Sequence, residues 1–160
     1  MMLKLKHDIF YLTTTRFNNL TYKENEKYRI THNIRGCAYG TPSEMSNYIP
    51  INGKVFVLEM NNDTNEIEGI GYLYNRVYNK RKLNIYKDMN YNRYSYLGHH
   101  RVDRNDMTKK ELEKLCVIET MIFKGSDHLK RGHGITSFNQ KKLNKNKKFI
   151  LNFLVEIFIG

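Results

Sequence analysis

Residues 54–74 read KVFVLEMNNDTNEIEGIGYLY, and this stretch decides the fold class. Lys54–Met60 is a run of apolar and β-branched residues, the pattern of a buried strand. Asn61–Asn65 is turn chemistry, because Asn and Asp bond their own backbone and tolerate left-handed φ. Ile67–Tyr74 is then the return strand of a hairpin. With side chains alternating along a strand, Gly69 and Gly71 fall on one face and Ile70, Tyr72 and Tyr74 on the other. A same-face glycine pair removes side chains and lets another backbone approach, as in a tightly curved sheet or small barrel.

Upstream, Ile9–Thr15 is rich in β-branched and aromatic residues and predicts a strand. Thr21 with Glu24 three residues on has the form of a capping box, so a helix is expected from there. Gly36 and Gly40 frame a short segment, and Pro42 and Pro50 bracket a connection. Downstream, Lys82–Tyr86 and Tyr94–Leu97 are strand-like. Thr108 with Glu111 opens a second helix, whose Leu112, Leu115, Cys116, Ile118 and Ile122 form a core-facing stripe, and Gly125 is its stop. Lys141–Lys148 reads as a solvated run leading to an apolar tail, Phe149–Ile159, in which a helix would gather Asn152 and Glu156 on one face. No internal repeat is evident. The expected architecture is α+β: a small, curved, mainly antiparallel sheet or barrel with flanking helices, one domain over residues 1–140, then a basic linker and hydrophobic tail over 141–160.

Composition bounds the function. The 160 residues fit a single domain, and 40% hydrophobic content supplies a core. Lys and Arg total 27 against 16 Asp and Glu, a net charge of +11, and such a field attracts polyanions, nucleic acid first and anionic membrane surfaces next. Cys37 and Cys116 sit in small or apolar company and are expected as reduced, buried thiols, not a disulfide framework. The opening MMLKLKHDIF lacks the apolar core of a signal peptide, and no stretch reaches the length of a membrane span. An intracellular protein is expected.

Two stretches carry nucleic-acid chemistry. Tyr91-Asn-Arg-Tyr-Ser-Tyr96, with His99, His100 and Arg101 after it, interleaves rings that stack on bases with cations that neutralise phosphate. Read as a strand, it puts Tyr91, Arg93 and Ser95 on one face and Tyr94 and Tyr96 on the other; the alternative is that one face packs the core. Lys124–Thr136, KGSDHLKRGHGIT, is a basic loop whose glycines allow backbone shapes that present N–H groups to an anion. It lacks the Walker A spacing. The candidate nucleic-acid surface is therefore Arg35, Tyr91, Arg93, Tyr94, Tyr96, Lys124, His128, Lys130, Arg131 and His133.

Other chemistries find less. Asp127-His128 with Asn139-Gln140 is similar to the His-Asn-His nucleases at its first His, which would make His128 the water-activating base. The paired CxxC frame and the later His are missing. His128 and His133 have the H-x4-H gap of zinc sites, but only one Cys is near. No GxSxG elbow occurs. No catalytic residue, cofactor or metal is expected.

Two resemblances add to this. FYLTTTRFNNLTYKENEKYR, NIRGCAYG, VFVLEMNN, IEGIGYLYN, IYKDMNYNRYSYLGHHRV and FKGSDHLKRGHGIT resemble an uncharacterised protein family of large nucleo-cytoplasmic DNA viruses of protists. That resemblance covers most of residues 9–136 and implies a viral protein of the host cytoplasm, viral factory or nucleus, or of the virion. The order of elements is similar to the PUA-like group, which includes the EVE, YTH and ASCH domains, and it implies a small curved barrel that binds RNA or modified bases. The chain has no Trp, whereas the aromatic cages of YTH-type domains typically use Trp. The expected function is non-catalytic binding of RNA or DNA. Its alternatives are a metal-dependent nuclease centred on His128, and a virion or assembly protein that forms homo-oligomers or meets a protein partner through Phe149–Ile159.

Overall fold

The computed structural model describes residues 2–5 and 7–159. Its strands are β1 (Met2–Leu5), β2 (Asp8–Phe17), β3 (Cys37–Thr41), β4 (Lys54–Asn61), β5 (Glu66–Tyr74), β6 (Tyr94–Gly98), β7 (His100–Asp103) and β8 (Thr136–Ser137). Its helices are α1 (Asn19–Thr31), α2 (Lys109–Phe123) and α3 (Gln140–Phe158), with 3₁₀ turns at Met89–Asn92 and Arg104–Asp106. The fold is α+β.

The 54–74 hairpin is present, with Val57 opposite Gly71 and a register shift between Leu58 and Met60. It anchors a sheet in the order β1-β2-β4-β5-β7, with β8 on the free end of β2 beyond β1. The sheet is mixed, because β2 and β4 pair in parallel, Tyr11 beside Val55. Residues 18–53 make the crossover that a parallel pair requires. A separate ribbon, β3-β6, is antiparallel, and no closed barrel forms among the described strands.

The sheet divides two cores. On one face Leu12, Phe56, Leu58, Met60, Ile67 and Ile70 meet α2 and α3. On the other Val55, Val57 and Leu73 meet the ribbon, α1 and the 76–92 connection. Gly69 and Gly71 lie on this second face, and side chains take the space they leave. A Cβ on Gly71 would stand 2.2 Å from the Tyr39 hydroxyl, and one on Gly69 would stand 2.5 Å from the Arg101 guanidinium.

Those neighbours belong to a buried ionic network. Arg101 donates twice to Glu59, Nη2 to Oε1 at 2.7 Å and Nε to Oε2 at 2.9 Å. It also donates to Asp103 at 2.8 Å and to the Tyr22 hydroxyl at 3.2 Å. Tyr39 donates to Glu59 at 2.5 Å. The side chains of Glu59 and Arg101 are 1% and 4% exposed, so this is an ion pair sealed from water. Burial disfavours the charged guanidinium, but Glu59, Tyr39 and Asp103 more than offset it and hold Arg101 above its ordinary value. Burial and the Glu59 charge push Tyr39 well up, so it stays a neutral donor.

Several expectations are corrected. The first helix starts earlier than Thr21: Asn18 is its N-cap, and Thr21 is the reciprocal partner of that capping box. The Thr108–Glu111 box opens α2 as expected. Lys82–Tyr86 is not a strand; it runs irregularly, with Leu83, Ile85 and Tyr86 buried in the second core. Tyr91 lies on a 3₁₀ turn, so strand alternation does not govern it. Cys116 is exposed, because the buried stripe of α2 runs through Leu115, Ile118, Glu119 and Ile122. Residues 141–160 were expected as linker and tail. Instead Leu143, Ile150, Phe153 and Leu154 of α3 are buried in the helix-side core, and the Phe158 ring lies 5.2 Å from Phe56. Phe149, Leu151, Ile157 and Phe158 pack partly against the same core, Ile159 stays exposed, and residue 160 lies outside the described residues.

Two outcomes are expected. Glu59→Ala removes both Glu59 contacts of the buried Arg101 and leaves it only its bonds to Asp103 and Tyr22, and it should cost about 3–5 kcal/mol in urea unfolding. Cys37, whose thiol is pushed up to about 12 by burial with the Glu59 charge adding to it, should resist a thiol reagent in the native state. Cys116 should react at once, and both should react in denaturant.

Candidate nucleic-acid interface

On the second face, a cleft of about 430 Å³ opens between the end of β2, the start of α1, the Met89–Asn92 turn and the glycine loop. Thr15, Arg16 and Phe17 come from β2, Asn18 and Thr21 from the α1 cap, and Tyr86, Asp88 and Tyr91 from the 3₁₀ region. Lys130, Gly132, His133 and Gly134 close it from the loop.

Arg16 builds the loop side. Its Nη1 donates to the Leu129 carbonyl at 3.2 Å, and its Nη2 to the Gly134 carbonyl at 2.9 Å and the Thr136 hydroxyl at 2.8 Å. One guanidinium thus fastens both ends of the Leu129–Thr136 segment. Gly132 and Gly134 have φ of 109° and 75°, values L side chains rarely adopt. A Cβ on Gly132 would sit 3.5 Å from Arg16 Cζ, so the loop lies directly over the guanidinium. Burial pushes Arg16 below its ordinary value, while nearby Tyr91 acts the other way. Its Nε is buried with no acceptor among the described residues.

The hairpin turn braces the rest. Asn62 Nδ2 donates to the Lys130 carbonyl at 2.9 Å. Asp63 accepts the Asn19 backbone N–H at 2.9 Å, and Asn18 accepts that of Thr21 at 2.8 Å. These caps satisfy donors at the α1 N-terminus. The cationic groups facing the cleft are therefore side chains, Arg16 and Lys130, with the His133 ring beside them. Across the opening, the Tyr91 hydroxyl and His133 Nδ1 are 2.6 Å apart, with the rings edge-on at 6.2 Å.

Of the ten residues singled out from the sequence, Tyr91, Lys130 and His133 meet in this cleft. Arg93 and Tyr94 lie on the other side of the 3₁₀ turn, around a separate hollow. Arg35, Lys124 and Arg131 are exposed outside the cleft. His128 is half-buried, and its Nδ1 accepts the Lys130 backbone N–H at 3.1 Å. Tyr96 is corrected: it is fully buried in the second core, and its hydroxyl accepts the Met45 N–H at 2.9 Å, so it has no face for a base. In the nuclease alternative, Asn139 is engaged as the α3 N-cap, and no group of three His, Cys, Asp or Glu side chains converges among the described residues. No helix among the described residues is long and apolar enough to cross a membrane.

Arg16, Thr21, Asn62, Tyr86 and Asp88 were missed. Only Arg16 left a signal, the one cation of its strand, following the uncharged run Ile9–Thr15. The anchor is testable by hydrogen exchange: Arg16→Ala should speed exchange across residues 129–136 while leaving α2 and α3 unchanged.

Proposed function

We infer the function from the geometry, since comparison with described protein families, curated proteins and solved structures yields no match. We propose that this protein is a non-catalytic nucleic-acid-binding domain, and that its cleft receives one unstacked nucleotide of an RNA or DNA strand. The observation that carries the reading is the meeting of Tyr91, Lys130 and His133, from segments about 40 residues apart, in one cleft. Its volume of about 430 Å³ lies in the range of small-ligand sites, about 300–1,000 Å³.

In this reading Tyr91 stacks on the base, and Lys130 and His133 meet the phosphate. Gly132 and Gly134 let the backbone come close to it. The net charge of +11 draws the polyanion in. A two-stranded ribbon packed over a mixed sheet supports the PUA-like relation, in which a modified base would occupy this cleft; Tyr86, Phe17 and Tyr91 supply the aromatic lining. The viral origin inferred from the sequence is part of the same proposal.

The test is a fluorescence-anisotropy titration with labelled single- and double-stranded RNA and DNA at about 50 and 200 mM salt, with and without Mg²⁺. Binding that weakens with salt and leaves the probes intact is expected. Tyr91→Ala should weaken it by about 1–3 kcal/mol. Lys130→Ala should lower the salt slope by a little under one. Probes shortened only with metal would replace this reading with a nuclease, and absence of binding would remove it.

A further inference from the structure

We infer that a second hollow, across the Met89–Asn92 turn from the cleft, grips the phosphates next along the same strand, so that the ligand is a single-stranded oligonucleotide and not a mononucleotide. This rests on the nucleic-acid reading of the cleft. The hollow measures about 400 Å³ and is framed by Tyr78, Arg81, Lys82, Arg93 and Tyr94, with no carboxylate in its lining. The side chains of Arg81, Lys82 and Arg93 make no hydrogen bond or ion pair among the described residues. Arg16, Arg29, Arg76, Arg101 and Arg104 each bond a protein acceptor. Three cations around one depression repel one another, and an anion seated among them relieves that repulsion.

The frame holding them is fixed. The Tyr78 N–H donates to the Ser95 carbonyl at 2.8 Å, which ties the loop to β6. Tyr78 and Tyr94 pack against the second core. Asn92, 2% exposed, accepts the Tyr86 N–H at 3.0 Å and donates to its carbonyl at 2.7 Å, locking the turn between cleft and hollow. Tyr91 walls the cleft and Arg93 the hollow. Two residues of chain span at most about 7 Å, the order of one nucleotide step. A strand leaving the cleft over this turn therefore brings its next phosphates to Arg93, Arg81 and Lys82. Arginine's planar fork suits phosphate oxygens, and the tyrosine rings cover the sugars and bases between them.

The experiment compares the full chain with a variant carrying Arg81→Ala, Lys82→Ala and Arg93→Ala. The probes are a labelled mononucleotide and a labelled single strand of about six nucleotides, within the range of known single-strand sites. The three side chains are exposed, so the variant should unfold at the same urea concentration as the parent. Mononucleotide affinity should not change. Hexamer affinity should fall at least tenfold at low salt, with the salt slope lower by about 2, as for three lost single-strand phosphates. Unchanged hexamer affinity and slope would overturn the inference and leave the cleft reading intact. A parent that binds hexamer and mononucleotide equally would overturn it too. Hexamer binding lost in this variant but unchanged, in affinity and salt slope, in both Lys130→Ala and Tyr91→Ala would overturn the shared path from cleft to hollow, and a parent that binds neither probe would remove both readings.

Discussion

Glu59 and Arg101 are opposite charges held where water does not reach, and the second face of the sheet is arranged around keeping them together. Glu59 sits on β4 beside the register shift of the hairpin, and Arg101 comes from β7 at the sheet's edge. Bringing them together needs Gly69, because any side chain there would occupy the guanidinium's place. It needs Tyr39 and Tyr22, which reach in from β3 and α1 to fill the remaining donor and acceptor positions. Asp103 completes the set. Burial raises its carboxyl, yet hydrogen bonds from Arg101 and the Asn105 N–H carry it below the ordinary value. A buried pair of this kind contributes little net stability over an apolar replacement, but breaking it is costly. Its structural consequence here is registry: four elements have one arrangement in which both charges are satisfied.

That registry determines where the cleft lies. The ribbon β3-β6 is held against Gly71, and Asn25 of α1 donates to the Ala38 carbonyl at 2.7 Å and to the Tyr86 hydroxyl at 2.9 Å. Helix α1 buries little apolar surface, only Tyr28 besides Asn25, so these polar contacts are what seat it. With α1 seated, its capped N-terminus forms one wall and the Tyr86–Tyr91 segment the other. Arg16 and the Asn61–Asn65 turn then bring the glycine loop across. The loop passes around the β2 edge, with Leu129 on the helix-side core and Ile135 on the second core. The basic loop and the tyrosine turn thus face one another although neither packs deeply.

The helix-side core does a different job. It buries the long apolar side chains of α2 and α3 and leaves Lys141, Lys145 and Lys148 on the outer surface. Lys114 pairs with Glu156 across the two helices, and Lys142 of α3 bonds the Met121 carbonyl at 2.6 Å. The lysine-rich start of α3 looks like a linker because its apolar positions are sparse there: Leu143 stands alone until Phe149 and Ile150. Helical spacing still puts Leu143, Ile150 and Leu154 on one side, so the segment is amphipathic at low density.

What the sequence determined by itself are features with a local cause: the hairpin, through strand alternation and turn residues; α2, through its capping box and apolar stripe; the same-face glycines; and the positive charge. It also nominated Tyr91, Lys130 and His133 by residue chemistry. What only the tertiary structure decided are features set by contacts between distant segments. The pairing of β2 with β4 is parallel because the crossover returns the chain that way. Tyr96 is interior because β6 joins β3 over the second core, while Tyr91, five residues earlier, is turned outward by a 3₁₀ turn. Arg16 is an anchor because carbonyls more than a hundred residues away converge on it. Local pattern specifies which face of an element is apolar. It does not specify which other element covers that face, and the position of the cleft follows from the covering.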